Sequence, residues 1–286
     1  MPVTSERQRT GRDGAEISAD NYTFLQKFIH QQSGIVVDSG KHYLLESRLV
    51  PVLRQEGLSC INDLCALLRA TSSLPIRQLV VEALTTNETL FCRDPVVFEA
   101  LQQNIIPELV RLRTHTRKLR IWSAASSSGQ EAYSLAMLLF EMDLGHWNIE
   151  IVGTDLNEKI LERARTGKYS QLEVNRGLPV NYLMKYFQRK GLEWEISAAV
   201  RSKVQFRQFD LRQNIARLGR FDLVLCRNVL IYFDIPTKRE ILRQVKNVLA
   251  PDGLLLLGAA ETTLNVDESF VRLPYGKAIL YRTPST

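Results

Sequence analysis

The residues with the clearest chemical use are a turn of small side chains, Ser126-Ser127-Ser128-Gly129, and a carboxylate, Asp155, 26 residues beyond that glycine. A backbone without bulky side chains lets N–H groups approach a ligand closely, and a carboxylate facing the same space can accept hydrogen bonds from both hydroxyls of a ribose. The pair therefore suits a nucleoside. The turn lacks Gly-x-Gly-x-x-Gly, with serines where glycines would clear room for a pyrophosphate, so a cofactor without phosphates fits better. S-adenosylmethionine, with its adenosine, sulfonium and amino-acid tail, is the candidate. The same residues also fit an ordinary α/β strand pair in which Asp155 caps a helix.

The elements that must position this pair are legible around it. Leu119 to Ala125 reads as a strand, and Tyr133, Leu135, Ala136, Leu138, Leu139 and Met142 then recur at helical spacing. Ile149 to Thr154 is a second strand that ends on Asp155. In a right-handed βαβ unit both strand ends open on one sheet edge, which brings turn and carboxylate to one crevice. The alternation continues with a helix over Asn157 to Thr166 closed by Gly167, strands over Lys203 to Phe209 and Phe221 to Cys226, and an amphipathic helix over Ile235 to Leu249 that stops at Pro251-Asp252-Gly253. Leu254 to Leu257 is an apolar buried strand, and Phe270 to Pro274 with Ala278 to Tyr281 form a final antiparallel pair. Lys168 to Ser202 is too long for an αβ loop. It reads as a subdomain inserted over the crevice, with a helical stretch through Tyr182, Leu183, Tyr186 and Phe187 and a short hairpin within Leu192 to Val200.

Upstream the pattern is helical. Phe24, Leu25, Phe28 and Ile29 mark a helix capped by Asp20, and Tyr43 to Leu53 a second closed by Gly57. A third is capped by Ser59, and a fourth spans Ile76 to Leu84. Asp94-Pro95 opens a long helix through Phe98, Leu101, Ile105 and Leu109, with Asp94 as its cap. The expected organisation is a disordered tail over 1–17, a helical domain over 18–92, a linker helix over 93–120 and an α/β domain over 121–286 with the insertion at 168–202. The 286 residues are 45% hydrophobic and 24% charged, the make-up of a globular chain. The net charge of +6 invites an anionic partner but is thinly spread, with no basic arm. Cys60, Cys65, Cys92 and Cys226 form no Cys-x-x-Cys pair and the four histidines do not cluster, so no metal site is expected. Scattered cysteines without a signal peptide point to a cytoplasmic setting, and no apolar run is long enough for membrane insertion.

Four stretches together resemble the chemotaxis receptor methyltransferase (CheR) family. They are Ala83-Leu-Thr-Thr-Asn-Glu-Thr-Leu-Phe-Cys-Arg-Asp94, Ser123-Ala-Ala-Ser-Ser-Ser-Gly-Gln-Glu-Ala-Tyr-Ser134, Gly153-Thr-Asp-Leu-Asn157 and Phe221-Asp-Leu-Val-Leu-Cys-Arg-Asn-Val-Leu-Ile-Tyr-Phe-Asp234. The resemblance runs in order from about Asp20 to the end. It implies an N-terminal all-helical domain joined to a class I, Rossmann-like methyltransferase domain with a small inserted β-subdomain. The implied reaction moves a methyl from S-adenosylmethionine to glutamate side chains of chemoreceptor cytoplasmic domains, leaving S-adenosylhomocysteine. By resemblance, Asn87, Thr89 and Arg93 contact the cofactor, Glu131 follows the turn, Asp155 holds the ribose, Asp210 and Leu211 flank the adenine, and Arg227 and Asn228 line the methionine end. Arg93 and Tyr232 match the pair beside the transferred methyl, and Arg48 and Arg54 stand on the receptor-facing helix.

The chemistry is coherent with those residues. A glutamate, with an ordinary pKa near 4.3, is already ionised at neutral pH and needs no general base. Arg93 can orient the incoming carboxylate, and the Tyr232 hydroxyl can donate to it or line the methyl path. Simpler readings exist for each. Arg93 can pair with a neighbouring acid, Glu131 can suit the dipole of a first helical turn, Asp210 can be a turn residue, Asn228 can satisfy backbone groups and Tyr232 can be core. Arg48 and Arg54 can be solvated charges, with Pro51 interrupting their helix.

The serine-rich turn departs from the Thr-Gly-Glu-Glu pattern of the family. Gln188 to Ser202 is short with Gly191 as its only glycine, whereas family members that dock on a receptor's tether peptide carry a longer loop. The chain is therefore expected to act without that tether; separately, a monomer is expected. A nucleic-acid or other-protein methyltransferase is the alternative; the nucleic-acid one would want a basic face or an (Asn/Asp)-Pro-Pro-(Tyr/Phe) motif, and the sequence has neither. A non-catalytic cofactor-binding docking module would not need both Arg93 and Tyr232.

Overall fold

A computed structural model describes residues 17–276 and 278–284. The tail expected over 1–17 lies, but for Ile17, outside the described residues. The chain divides into two compact units, one ending at Thr85 and the other starting at Thr86.

The first unit contains α1 (Ala19–Ser33), α2 (His42–Glu56), α3 (Ile61–Ala70) and α4 (Leu74–Leu84). Leu25, Ile29, Leu45, Leu49, Leu64, Leu68 and Val80 are fully buried, and each contributes about 1.5–3 kcal/mol by leaving water. Two expected caps shift. Ser18, not Asp20, caps α1, its Oγ accepting from Asn21 N at 3.3 Å, and Cys60, not Ser59, precedes α3, with the Asp63 carboxylate accepting from Cys60 N at 3.2 Å. Pro51 does not interrupt α2. It sits exposed inside the helix, where burial of Leu49, Val52 and Leu53 outweighs one lost backbone bond.

The second unit opens with α5 (Pro95–Ala100), a π-helical turn (Leu101–Ile105) and α6 (Ile106–Arg113). This stretch is not a linker: Phe98, Leu101, Ile105 and Leu109 are buried in one apolar cluster with sheet residues Leu119, Ile121 and Leu223. The unit boundary falls at 85/86 rather than after Cys92 for a similar reason. Phe91 is fully buried with its ring 4.9 Å from that of Tyr169, and Cys92 N donates to Ser134 Oγ at 2.9 Å.

The main sheet takes β1 (Lys118–Ala124), β2 (Asn148–Asp155), β6 (Val204–Gln208), β7 (Phe221–Cys226), β8 (Leu249–Leu257), β9 (Val271–Tyr275) and β10 (Ala278–Arg282) in the order β6-β2-β1-β7-β8-β10-β9. The first five are parallel and the last two antiparallel. Alternation along the strands splits the core. Leu119, Ile121, Leu223 and Leu225 join the cluster with α5 and with α7 (Gln130–Glu141), while Trp122, Val224 and Leu255 face Ile241, Leu242 and Val245 of α12 (Ile235–Val248). Pro251-Asp252-Gly253 does not stop α12. The helix ends at Val248, and those residues form an irregularity inside β8 between its pairings with Phe221 and Leu223.

The insertion follows α8 (Glu158–Thr166). It contains β3 (Lys168–Ser170), α9 (Gln171–Asn175), α10 (Val180–Tyr186), β4 (Phe187–Lys190), β5 (Glu193–Ile196) and α11 (Ala198–Arg201), with the strands in an antiparallel sheet of order β3-β5-β4. The hairpin spans Phe187 to Ile196 rather than Leu192 to Val200. Phe187 leaves the helical stretch because its ring is buried edge-on to Phe91 at 5.6 Å. Lys190 pairs directly with Glu193 across a Gly191-Leu192 turn, with Gly191 at φ +64°.

Candidate functional site

The register of the parallel strands aligns their C-terminal ends. Gln208 pairs with Asp155, Thr154 with Ala124, Ala124 with Cys226, and Cys226 with Leu257. The segments leaving β6, β2, β1, β7 and β8 therefore share one edge, and the order reverses at β1, where a ligand crevice forms in such sheets.

The turn after β1 is tightly built. Ala125, Ser127 and Gly129 all have positive φ, and only glycine is at ease there. A Cβ on Gly129 would also lie 2.7 Å from the Phe206 ring. Ser126 N donates to Thr154 O at 2.8 Å, and Ser127 Oγ donates to Asn87 O at 2.8 Å.

Asp155 is 7% exposed. One carboxylate oxygen accepts from Ser127 N at 2.9 Å and the other from Asn157 N at 3.0 Å, and the Leu156 backbone N–H is a further donor to the same carboxylate. Burial pushes this carboxyl above the usual aspartate range, offset in part by those backbone bonds. Asp155 does not cap α8; Asn157 does, its side chain accepting from Ile160 N at 3.1 Å.

Arg227 joins three segments. Its side chain is 1% exposed. Nη1 donates to Glu131 Oε2 at 2.9 Å, and Nη2 donates to Arg93 O at 3.1 Å and to Asp94 Oδ2. Glu131 Oε1 accepts from Ser123 Oγ at 2.8 Å, so its carboxylate is spent on side chains and caps nothing. Asp94 likewise is no side-chain cap; it holds φ +61° and turns to Arg227. Among the described residues, Arg227 Nε and Asn228 Oδ1 are buried without a hydrogen-bond partner. An unpaired donor beside an unpaired acceptor fits a carboxylate and an ammonium, the two groups of a methionine tail.

The side chains of Arg93, Thr89 and Tyr232 are half-buried and make no hydrogen bond or ion pair among the described residues. Asp94, the acid beside Arg93, is taken by Arg227. Tyr232 ends a 3₁₀ turn over Leu230–Tyr232, five residues past Arg227. Asn87 is tied to the turn through its carbonyl. Asp210 and Leu211 follow β6 on the same edge. Asp210 is gripped by Arg212, whose Nε and Nη2 lie 3.0 and 2.6 Å from its oxygens, and Leu211 is buried with Trp122 and Phe209.

Arg48 and Arg54 belong to the other unit. Arg48 Nη1 donates to Leu84 O at 2.7 Å and Thr85 O at 3.1 Å, closing the end of α4. Arg54 is exposed in the last turn of α2.

One residue at the edge escaped sequence reasoning. Glu261, in the turn after β8, accepts from Asn228 N (2.7 Å), Val229 N (2.9 Å), Ile231 N (3.2 Å) and Gly258 N (2.7 Å). An acid just past the tip of a buried apolar strand was its signal. The three buried cysteines are poor nucleophiles: burial raises Cys65 to about 11 and pushes Cys92 and Cys226 upward. Among the described residues no group of three or more His, Cys, Asp and Glu could hold a metal ion, and no helix is long and apolar enough to cross a membrane.

Comparison with known proteins gives two consecutive family matches. Residues 20–85 match the CheR methyltransferase all-alpha domain, and residues 87–278 the CheR methyltransferase SAM binding domain. Chemotaxis protein methyltransferase 1 of Pseudomonas aeruginosa is 42% identical over 274 residues, covering 93% of this chain and 99% of that protein. Chemotaxis protein methyltransferase Cher2 of Pseudomonas putida is 39% identical over 274 residues, with the same coverage. The chemotaxis protein methyltransferase of Vibrio parahaemolyticus is 36% identical over 271 residues, covering 93% and 98%.

Proposed function

Because the chain belongs to the CheR family of S-adenosylmethionine-dependent chemotaxis methyltransferases, we propose that it methylates glutamate side-chain carboxylates of chemoreceptor cytoplasmic domains, giving glutamate methyl esters and S-adenosylhomocysteine for sensory adaptation in the cytoplasm. The observation that carries this reading is that, among the described residues, the half-buried side chains of Arg93 and Tyr232 have no hydrogen-bond or ion-pair partner, while Arg227, which reaches the Arg93 carbonyl, and its neighbour Asn228 each keep one buried polar atom unpaired. When bound, the cofactor supplies a methyl on a sulfonium whose departure leaves a neutral thioether.

The protein's own contribution is holding and positioning. Asp155 takes the ribose hydroxyls, Asn87, Thr89 and Glu131 line the turn side, and Asp210 and Leu211 flank the adenine. Asn228 Oδ1 accepts from the ammonium of the tail, and Arg227 Nε meets its carboxylate. Arg93 orients the incoming glutamate, whose oxygen must sit about 3–3.5 Å from the methyl carbon, and Tyr232 fixes that approach. The grip has to stay loose, since a carboxylate bound bidentately to arginine is a weaker nucleophile. On the helical unit, exposed Arg54 offers the receptor a charge, while Arg48 is committed to α4. The two-residue Gly191-Leu192 turn supports action without a receptor tether peptide, and the chain acts as a monomer.

The test is incubation with methyl-labelled cofactor and a receptor cytoplasmic fragment. Label in the receptor that leaves as methanol in mild alkali is the expected result. Alkali-stable label, or none although S-adenosylhomocysteine binds, would overturn the reading.

A further inference from the structure

We infer that Glu261 is a positioning residue for methyl transfer, holding the loop that carries Asn228 and Tyr232 in its working shape. The inference rests on the reading that those two side chains serve the reaction. A loop leaving a parallel strand has no ladder to satisfy its backbone, and here one carboxylate from the neighbouring strand's exit does so. Its Oε1 accepts from Val229 N at 2.9 Å and Ile231 N at 3.2 Å, and its Oε2 from Asn228 N and Gly258 N, both at 2.7 Å. No cation pairs with Glu261 among the described residues, so these charge-assisted bonds balance the anion. The clamp holds a costly conformation: Asn228 stands at φ +58°, and its Oδ1 is buried and unpartnered. Gly258 is required beside it, because a Cβ there would lie 2.7 Å from Glu261 Oε2 and 2.8 Å from Asn228 N.

Glu261→Gln keeps the shape but turns one oxygen into an amide NH₂, which confronts either the Val229 and Ile231 donors or the Asn228 and Gly258 donors. The expected result is a fall in kcat on a receptor fragment of about tenfold or more, with faster amide exchange in the peptide 227–233 and unchanged exchange in β1 and β2. Because Glu261 acts through Tyr232, Glu261→Gln combined with Tyr232→Phe is to be no slower than about the worse single variant. Gly258→Ala, which displaces the same carboxylate while keeping its charge, is to reproduce the loss and serves if Glu261→Gln does not fold. If Tyr232→Phe and Asn228→Ala are impaired while Glu261→Gln and Gly258→Ala turn over within twofold of wild type, or if the losses multiply, the inference is refuted and the functional reading stands. If Tyr232→Phe and Asn228→Ala both turn over at the wild-type rate, the assignment of those two side chains to the reaction fails and the inference falls with it.

Discussion

Replacing Arg227 by methionine removes the guanidinium from between Glu131 and Asp94 while filling most of its volume. The two arms are unequal. Glu131 is 13% exposed against 1% for the arginine side chain, so loss of that partner strands a carboxylate in a poorly solvated site, a change worth ~3–5 kcal/mol. Asp94 is 43% exposed, and water replaces most of what it loses, leaving ~0–1 kcal/mol. Glu131 keeps Ser123 Oγ at 2.8 Å, which places the total near the lower end, about 3–4 kcal/mol. At ~2–4 °C per kcal/mol for a unit of this size, the thermal midpoint falls by about 6–16 °C. Circular dichroism melting of the full chain measures it. Adding Glu131→Gln neutralises the stranded acid, so the double variant is to recover about 1–2 kcal/mol relative to simple addition of the two single losses. An Arg227→Met protein melting within 2 °C of wild type, or losses that add, would refute the claim that this buried pair holds the site together.

The remaining predictions concern cofactor, chemistry and scaffold. Burial raises the Asp155 carboxyl; a raised acid favours the protonated folded form, so its contribution to stability without cofactor is present below the unfolded value and lost as pH rises through the folded one. Ribose donors favour the anion, so S-adenosylhomocysteine affinity by calorimetry is to strengthen as pH rises through that raised value, and Asp155→Asn is to flatten the slope; an unchanged slope would exclude Asp155 as the titrating group. Tyr232→Phe is to lower kcat by ~10–100-fold while S-adenosylhomocysteine affinity stays within about twofold, and an equal loss in both would make it a binding residue instead. Gly177→Ala, at φ +86° with its Cβ 2.2 Å from Phe91 O, is to cost more than ~2 kcal/mol in urea unfolding, against about 1 kcal/mol for Gly191→Ala, which at φ +64° meets nothing within 4 Å. Arg48→Ala is to destabilise the helical unit by ~2 kcal/mol through Leu84 O and Thr85 O, whereas Arg54→Ala leaves stability within ~0.5 kcal/mol and raises KM for the receptor fragment.

Local order in the chain alone was enough to read most of the elements outside the insertion and their sequence along the fold. Gly57 and Gly167 close helices in the left-handed conformation, Asn157 starts one, and the apolar runs at Ile149 and Phe221 became strands because such signals act over a few residues. The meeting of turn and carboxylate was legible for the same reason: a small-residue turn and a strand-end carboxylate need only a right-handed crossover to meet, and Asp155 now accepts from Ser127 N. What tertiary structure decided is where each side chain spends its polar groups. Arg227 meets Glu131 and Asp94 across 96 and 133 residues, Glu261 meets Asn228 across 33, and Arg48 turns from solvent to the end of α4. The fate of 93–113 as core rather than linker, and of Phe187 as strand rather than helix, likewise followed from burial against distant residues. Periodicity encodes which face of an element is apolar; which partner that face or its charged tips will meet depends on sheet order and register, which no short stretch of the chain contains.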